Sequence, residues 1–112
     1  MRWLAAPSLL IVLAGIAVAE PRVIDLPITR GALPQNMRVI AVRHGDDVTL
    51  RWTADKPTEI HLHGYDLAVN LRPGAPTPMH FTAKSAGRFA IEAHGLGPSM
   101  EPTLGYLEVH PR

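Results

Sequence analysis

No cysteine occurs among the 112 residues, so disulfides, thiol nucleophiles and thiolate metal ligands are all excluded. Stability must come from packing, with or without a bound ion. The chain also lacks the other usual marks of catalysis. Past the first nineteen residues the only serines are Ser85 and Ser99, both near turn signals and in no serine–histidine–aspartate arrangement. Carboxylates at a credible catalytic spacing are absent, and so is a glycine loop that opens a helix to cradle phosphate. The expectation is therefore a protein that is not an enzyme. Charge of one sign is missing too. Setting aside Arg2, ten basic residues face ten acidic ones, which leaves no basic footprint for nucleic acid.

A long enough hydrophobic run is missing as well. The apolar stretch from Trp3 to Ala19 contains Pro7 and Ser8 and falls short of the roughly 20 residues that a spanning helix needs. It reads instead as an export signal, residues 1–19. Arg2 forms the positive end, Leu9 to Val18 the apolar part, and Ala17-Val18-Ala19 the small-residue cleavage site. A retained anchor is the competing reading. Cleavage leaves Glu20 as the first residue of a protein that resides in the periplasm or is secreted. Residues 20–112 suffice for one small domain, burying about 60–65 % of its unfolded surface.

Helical periodicity is absent from residues 20–112. What is present is a rhythm of short alternating runs, eight to twelve residues apart, closed by glycine, proline or aspartate. That rhythm marks an all-β sandwich of seven to eight strands. Val23 to Ile28 is the first expected strand, with Pro27 placing it at a sheet edge, and Met37 to Arg43 the second. His44-Gly45-Asp46-Asp47 is a turn signal. Beyond it Leu50 and Trp52 face inward, as do Phe81, Phe89, Ile91 and Leu107 in later strands. Gly95 to Thr103 reads as a loop.

The segment Glu59-Ile60-His61-Leu62-His63-Gly64-Tyr65-Asp66 carries the most chemistry. Side chains alternate along a strand, so Ile60 and Leu62 fill one face while His61 and His63 share the other. Neutral imidazole is a common ligand for copper and zinc. Two outward histidines also suit an ordinary polar strand face. By the same alternation Glu92 and His94 point outward when Phe89, Ile91 and Ala93 point inward. Met100 is a soft ligand suited to Cu(I), whereas Met79, near Phe81, reads as core. Tyr65 and Asp66 are candidates for orienting a ligating imidazole, and Asp66 suits a turn cap equally well. His44 and His110 read as solvated.

The order of these pieces resembles the cupredoxin family across nearly all of residues 20–112. The resemblance is carried by Val39 to Leu50 with Gly45-Asp46, the histidine strand, Phe81-Thr82-Ala83, Ala86-Gly87-Arg88-Phe89, and Gly105-Tyr106-Leu107-Glu108-Val109. It implies a Greek-key β-sandwich in which the strands of His61 and His94 are neighbours. The family's blue-copper cysteine falls on Ala93, so no blue site forms. The run His61-Leu62-His63-Gly64-Tyr65-Asp66 also resembles the C-terminal domain of multicopper oxidases, where such a pair binds an interdomain copper cluster. Thr58 stands where that family places a blue-site histidine, and Glu92-Ala93-His94 stands where it has His-Cys-His. The residues left to resemble cluster ligands are His61, His63 and His94.

The resulting expectation is an exported cupredoxin-like protein that binds copper for storage, delivery or tolerance. Its metal-site candidates are His61, His63, His94, Glu92 and Met100, completed by water, another subunit or a periplasmic or membrane-bound partner protein. A metal-free interaction module of the same fold is the second reading, and a small redox protein the third.

Overall fold

The computed structural model describes residues 5–10, 19–98 and 100–112. Most of the expected leader, residues 1–4 and 11–18, lies outside the described residues. Among the described residues, no helix is long and apolar enough to cross a membrane.

Eight strands make up the domain: β1 (Pro21–Ile28), β2 (Val39–Arg43), β3 (Asp47–Ala54), β4 (Thr58–Leu62), β5 (Leu67–Leu71), β6 (Thr77–Thr82), β7 (Gly87–His94) and β8 (Thr103–His110). They form a three-stranded sheet in the order β1-β3-β6 and a five-stranded sheet in the order β2-β8-β7-β4-β5. The chain passes between the sheets after β1, β2, β3, β5 and β6, as the expected Greek-key sandwich requires. Two pairings, β1 with β3 and β2 with β8, are parallel. Those between β3 and β6, β4 and β5, β4 and β7, and β7 and β8 are antiparallel.

The first strand starts at Pro21, two residues before the expected start. It lies at a sheet edge, where Pro21 and Pro27 are tolerated. The second starts at Val39, because Gln35–Met37 winds into a short 3-10 turn instead of extending.

The alternation along each strand becomes the core. Leu50, Trp52, Ile60, Ile91, Ala93 and Leu107 have no exposed surface, and Leu26, Leu62, Leu71 and Met79 are buried beside them. Phe89 departs from its expected place. It is only half-buried, because its ring stands at the sandwich margin, edge-on to Tyr65 with centroids 4.9 Å apart. Leu67 and Val69 are half-buried as well, since β5 is an edge strand.

One buried polar residue pins the turn between β2 and β3. Asp46 is 1 % exposed, although a turn aspartate would ordinarily be solvated. Its Oδ2 accepts a hydrogen bond from the Arg43 N–H at 2.9 Å and lies 3.6 Å from Arg22 Nε. Its Oδ1 accepts from the Glu20 N–H at 3.4 Å and pairs with the Arg112 guanidinium. Burial alone would push this carboxyl up. The two backbone N–H donors, with Arg112 and Arg22, outweigh that effect and hold it below the usual carboxylate range.

A carboxyl whose native pKa is depressed stabilises the fold above its unfolded value, about 3.9, and the contribution is lost as pH falls through the lower native value. Asp46→Ala is accordingly expected to cost about 3 kcal/mol at pH 7, because it strands buried donors and two guanidinium groups. Urea unfolding of both proteins, repeated from pH 7 into the acid range, should show the gap closing below about pH 4.

Candidate metal centre

β4 and β7 lie side by side, with Glu59 opposite His94, Ile60 opposite Ala93, His61 opposite Glu92 and Leu62 opposite Ile91. Since Ile60, Leu62, Ile91 and Ala93 are all buried, Glu59, His61, Glu92 and His94 are left on the outer face. The ladder runs one residue past β4, with the His63 N–H donating to the Ala90 carbonyl at 3.0 Å. That bond carries His63 onto the same face.

Three side chains converge there. His63 Nε2 lies 3.1 Å from Glu92 Oε2, and His94 Nε2 lies 3.5 Å from that same oxygen. One ligand atom from each of His63, Glu92 and His94 falls within 4.8 Å of the others. Tetrahedral bonds of about 2.0–2.1 Å to one ion place ligand atoms about 3.3–3.4 Å apart, so these spacings suit neighbouring legs of one coordination sphere. His94 adds a sharper feature. Its Nδ1 faces Glu101 Oε1 at 3.3 Å. Its Nε2 is buried and without a hydrogen-bond partner among the described residues. A ligating imidazole characteristically turns one nitrogen to a carboxylate and keeps the other for the ion.

His61 belongs to the patch by a different contact. Its ring centroid is 4.3 Å from that of His94 and 6.3 Å from that of His63. Its Nε2 is tied to Glu59, so the nitrogen left for an ion is Nδ1. Glu59 and Glu101 escaped the sequence reading. Glu59 carried a signal, since it stands two residues before His61 and so shares its face. Glu101 sits in the irregular β7–β8 loop, where no periodicity indicates which way it turns.

No family model matches the chain, and no curated protein does. Solved structures do. A blue copper oxidase from Nitrosomonas europaea superposes with a TM-score of 0.62 at 28 % identity, over 82 % of this chain and 39 % of its own. A copper binding protein in its apo form gives a TM-score of 0.61 at 17 % identity, over 79 % of this chain and 86 % of its own. A heme-copper terminal oxidase chain gives 0.63 at 17 %, over 76 % of this chain and 60 % of its own. This chain is a cupredoxin-like domain. It spans 39 % and 60 % of the two oxidase chains, less than two thirds of either.

Within the cupredoxin-like domain, Thr58 and Ala93, the positions matched to a blue-site histidine and cysteine, are buried. Thr58 Oγ1 donates to the Lys56 carbonyl at 2.8 Å, and Ala93 presents only a methyl group. Met100 is 55 % exposed and lines a hollow with Arg30, Gly31, Lys56 and Leu96, none of them a residue of the histidine patch. Tyr65 does not orient a ligand, because its hydroxyl donates to the Ser85 carbonyl at 2.9 Å. Asp66 forms part of the turn, with a φ of 51°. His44 contacts the Lys84 carbonyl and His110 pairs with Glu108, both exposed and away from the site.

Gly64 ends the histidine segment at a φ of +83°, and a Cβ there would lie 2.4 Å from the Phe89 ring. Gly64→Ala is expected to cost about 2 kcal/mol or more, from a strained dihedral together with displacement of Phe89 from Tyr65. Urea unfolding measures the loss, and a lowered near-ultraviolet circular dichroism signal from Tyr65 reports the displaced ring.

Proposed function

We propose that this domain is an exported copper-binding protein for storage, delivery or tolerance, with His63, Glu92 and His94 as ligands and His61 beside them. The observation that carries this reading is the buried, unpartnered Nε2 of His94, 3.5 Å from Glu92 Oε2 in a group that also contains His63. Two imidazoles and a carboxylate form a donor set that suits divalent copper or zinc, and copper is favoured by the general order of divalent affinities. Likeness to a blue copper oxidase at 28 % identity and to a copper binding protein supports the same metal. Without a thiolate, the ion would lack the intense blue absorption and the rapid electron transfer of a blue site. Binding is therefore a better reading than turnover. Residence in the periplasm or outside the cell follows from the leader-like residues 1–19.

The test is a calorimetric Cu(II) titration of residues 20–112, which include all eight strands, beside His61→Ala, His63→Ala and His94→Ala variants. One equivalent is expected to bind without a strong absorption band near that of blue proteins. His63→Ala and His94→Ala should lose that binding, and Glu101→Gln should weaken it about 10–100-fold by freeing the His94 ring. Because metal competes with protons for the imidazoles, affinity should fall on acidification. Equal uptake by all variants would make the metal-free interaction module the better reading.

A further inference from the structure

The backbone nitrogen of Glu20 lies 3.4 Å from Oδ1 of the buried Asp46 carboxylate. Its position does not depend on what precedes it, since the Glu20 carbonyl accepts from the Asp47 N–H at 3.1 Å and Pro21 starts the β1–β3 ladder opposite Asp47. Ala19 and Glu20 are both exposed, and Ala17-Val18-Ala19 has the small-residue pattern of a leader cleavage site. We infer that the Ala19–Glu20 bond is a processing site, and that cleavage makes the Glu20 nitrogen an ammonium group that ion-pairs with Asp46. In the cleavage, water adds across the peptide bond. Ala19 leaves with the leader as a carboxylate, and Glu20 retains the amine, which takes up a proton at neutral pH.

At 3.4 Å the uncleaved amide makes a long hydrogen bond in which only the Asp46 acceptor is charged. An ammonium on a free chain end has three hydrogens to direct and carries a full charge, so donor and acceptor would both be ionised, as in N–H···O bonds of about 2.7–2.9 Å between cationic nitrogen and carboxylate. The charged groups around the new amine are Asp46 of the β2–β3 turn and its partners Arg22 of β1 and Arg112 at the chain end, while the Asp47 carboxylate at the start of β3 pairs instead with His80 of β6. Arg22 is half exposed and 3.6 Å from Oδ2, and Arg112 already pairs with Oδ1, so the ammonium would be a third cation at this carboxylate. Removal of the leader would thus replace an amide donor by a cation at Asp46, and the chain would reach full stability only after export. The metal centre is remote from this change. Arg43 pairs with His110 at one end of the five-stranded sheet, and Glu92 with Thr103 at the other.

Two measurements test the inference. The full chain is exported from a bacterial host, and its intact mass is expected to show a start at Glu20; any other start overturns the proposal. Residues 20–112 are then compared with residues 18–112, in which the Glu20 nitrogen is an amide. At pH 7 the Glu20-start protein is expected to have an unfolding equilibrium constant about fivefold smaller, the increment expected of a cationic donor over an amide at the same carboxylate. An ammonium stabilised by a partner has a raised native pKa, so the advantage should persist below the ordinary α-amino range of about 7.7–8.0 and fade as pH rises well above it. Asp46→Asn should abolish the difference. If that variant does not fold, the pH series decides alone, and equal stability of the two chains at pH 7, or a difference independent of pH, overturns the proposal. Copper uptake by the two chains should be the same.

Discussion

The pairing of β4 with β7 is the constraint on which the outer face depends. It sets Ile60 opposite Ala93 and Leu62 opposite Ile91, all buried, and fully burying side chains of this size contributes about 1.5–3 kcal/mol each. The exposed histidine–carboxylate contacts across the same strands contribute about 0–1 kcal/mol each. Packing therefore fixes the register, and the polar groups accept the positions it assigns. A one-residue slip would drive His61 and Glu92 into the core and turn Ile60 and Leu62 to solvent. Convergence of two histidines on one oxygen of Glu92 is thus a consequence of apolar burial on the opposite side of the sheet.

The other end of the sandwich follows a different rule. Asp46 is held by two backbone N–H groups and two guanidinium groups drawn from residues as distant as Arg22 and Arg112. This carboxylate joins the first strand, the β2–β3 turn and the chain end, where no disulfide can do so. Its donors compensate a burial that would otherwise disfavour the charge. The apolar core between the two ends lets them be altered separately, because additivity holds for distant sites without shared partners.

Alternation made most of this legible in the sequence. Period two alone put His61 with His63 and Glu92 with His94 on outward faces, and the order of strand-like runs matched a known fold closely enough to make those faces adjacent. Local pattern says nothing about which distant strands pair, so the two parallel pairings and the edge position of β5 were not readable. Asp46 was hidden for a related reason. A glycine–aspartate pair signals a reversal, but whether the carboxylate is buried depends on residues more than twenty positions away. Phe89 shows the limit of alternation, since it points inward yet reaches only the margin of the core. Glu59 was legible from its spacing to His61, whereas Glu101 and Met100 lie in a loop that follows no period.

His94 links the sheet to the chemistry. A buried polar atom without a partner costs about 1–3 kcal/mol, a sizeable share of the stability of a domain this small. The surrounding structure holds that state in place: β7 fixes the backbone, Glu101 faces Nδ1, and the His61 ring covers one side. A ligand that accepts the Nε2 lone pair removes the cost, and because it binds the folded chain alone it stabilises the fold by mass action. Under the proposed copper-binding reading, metal affinity and domain stability would be coupled through a single imidazole nitrogen.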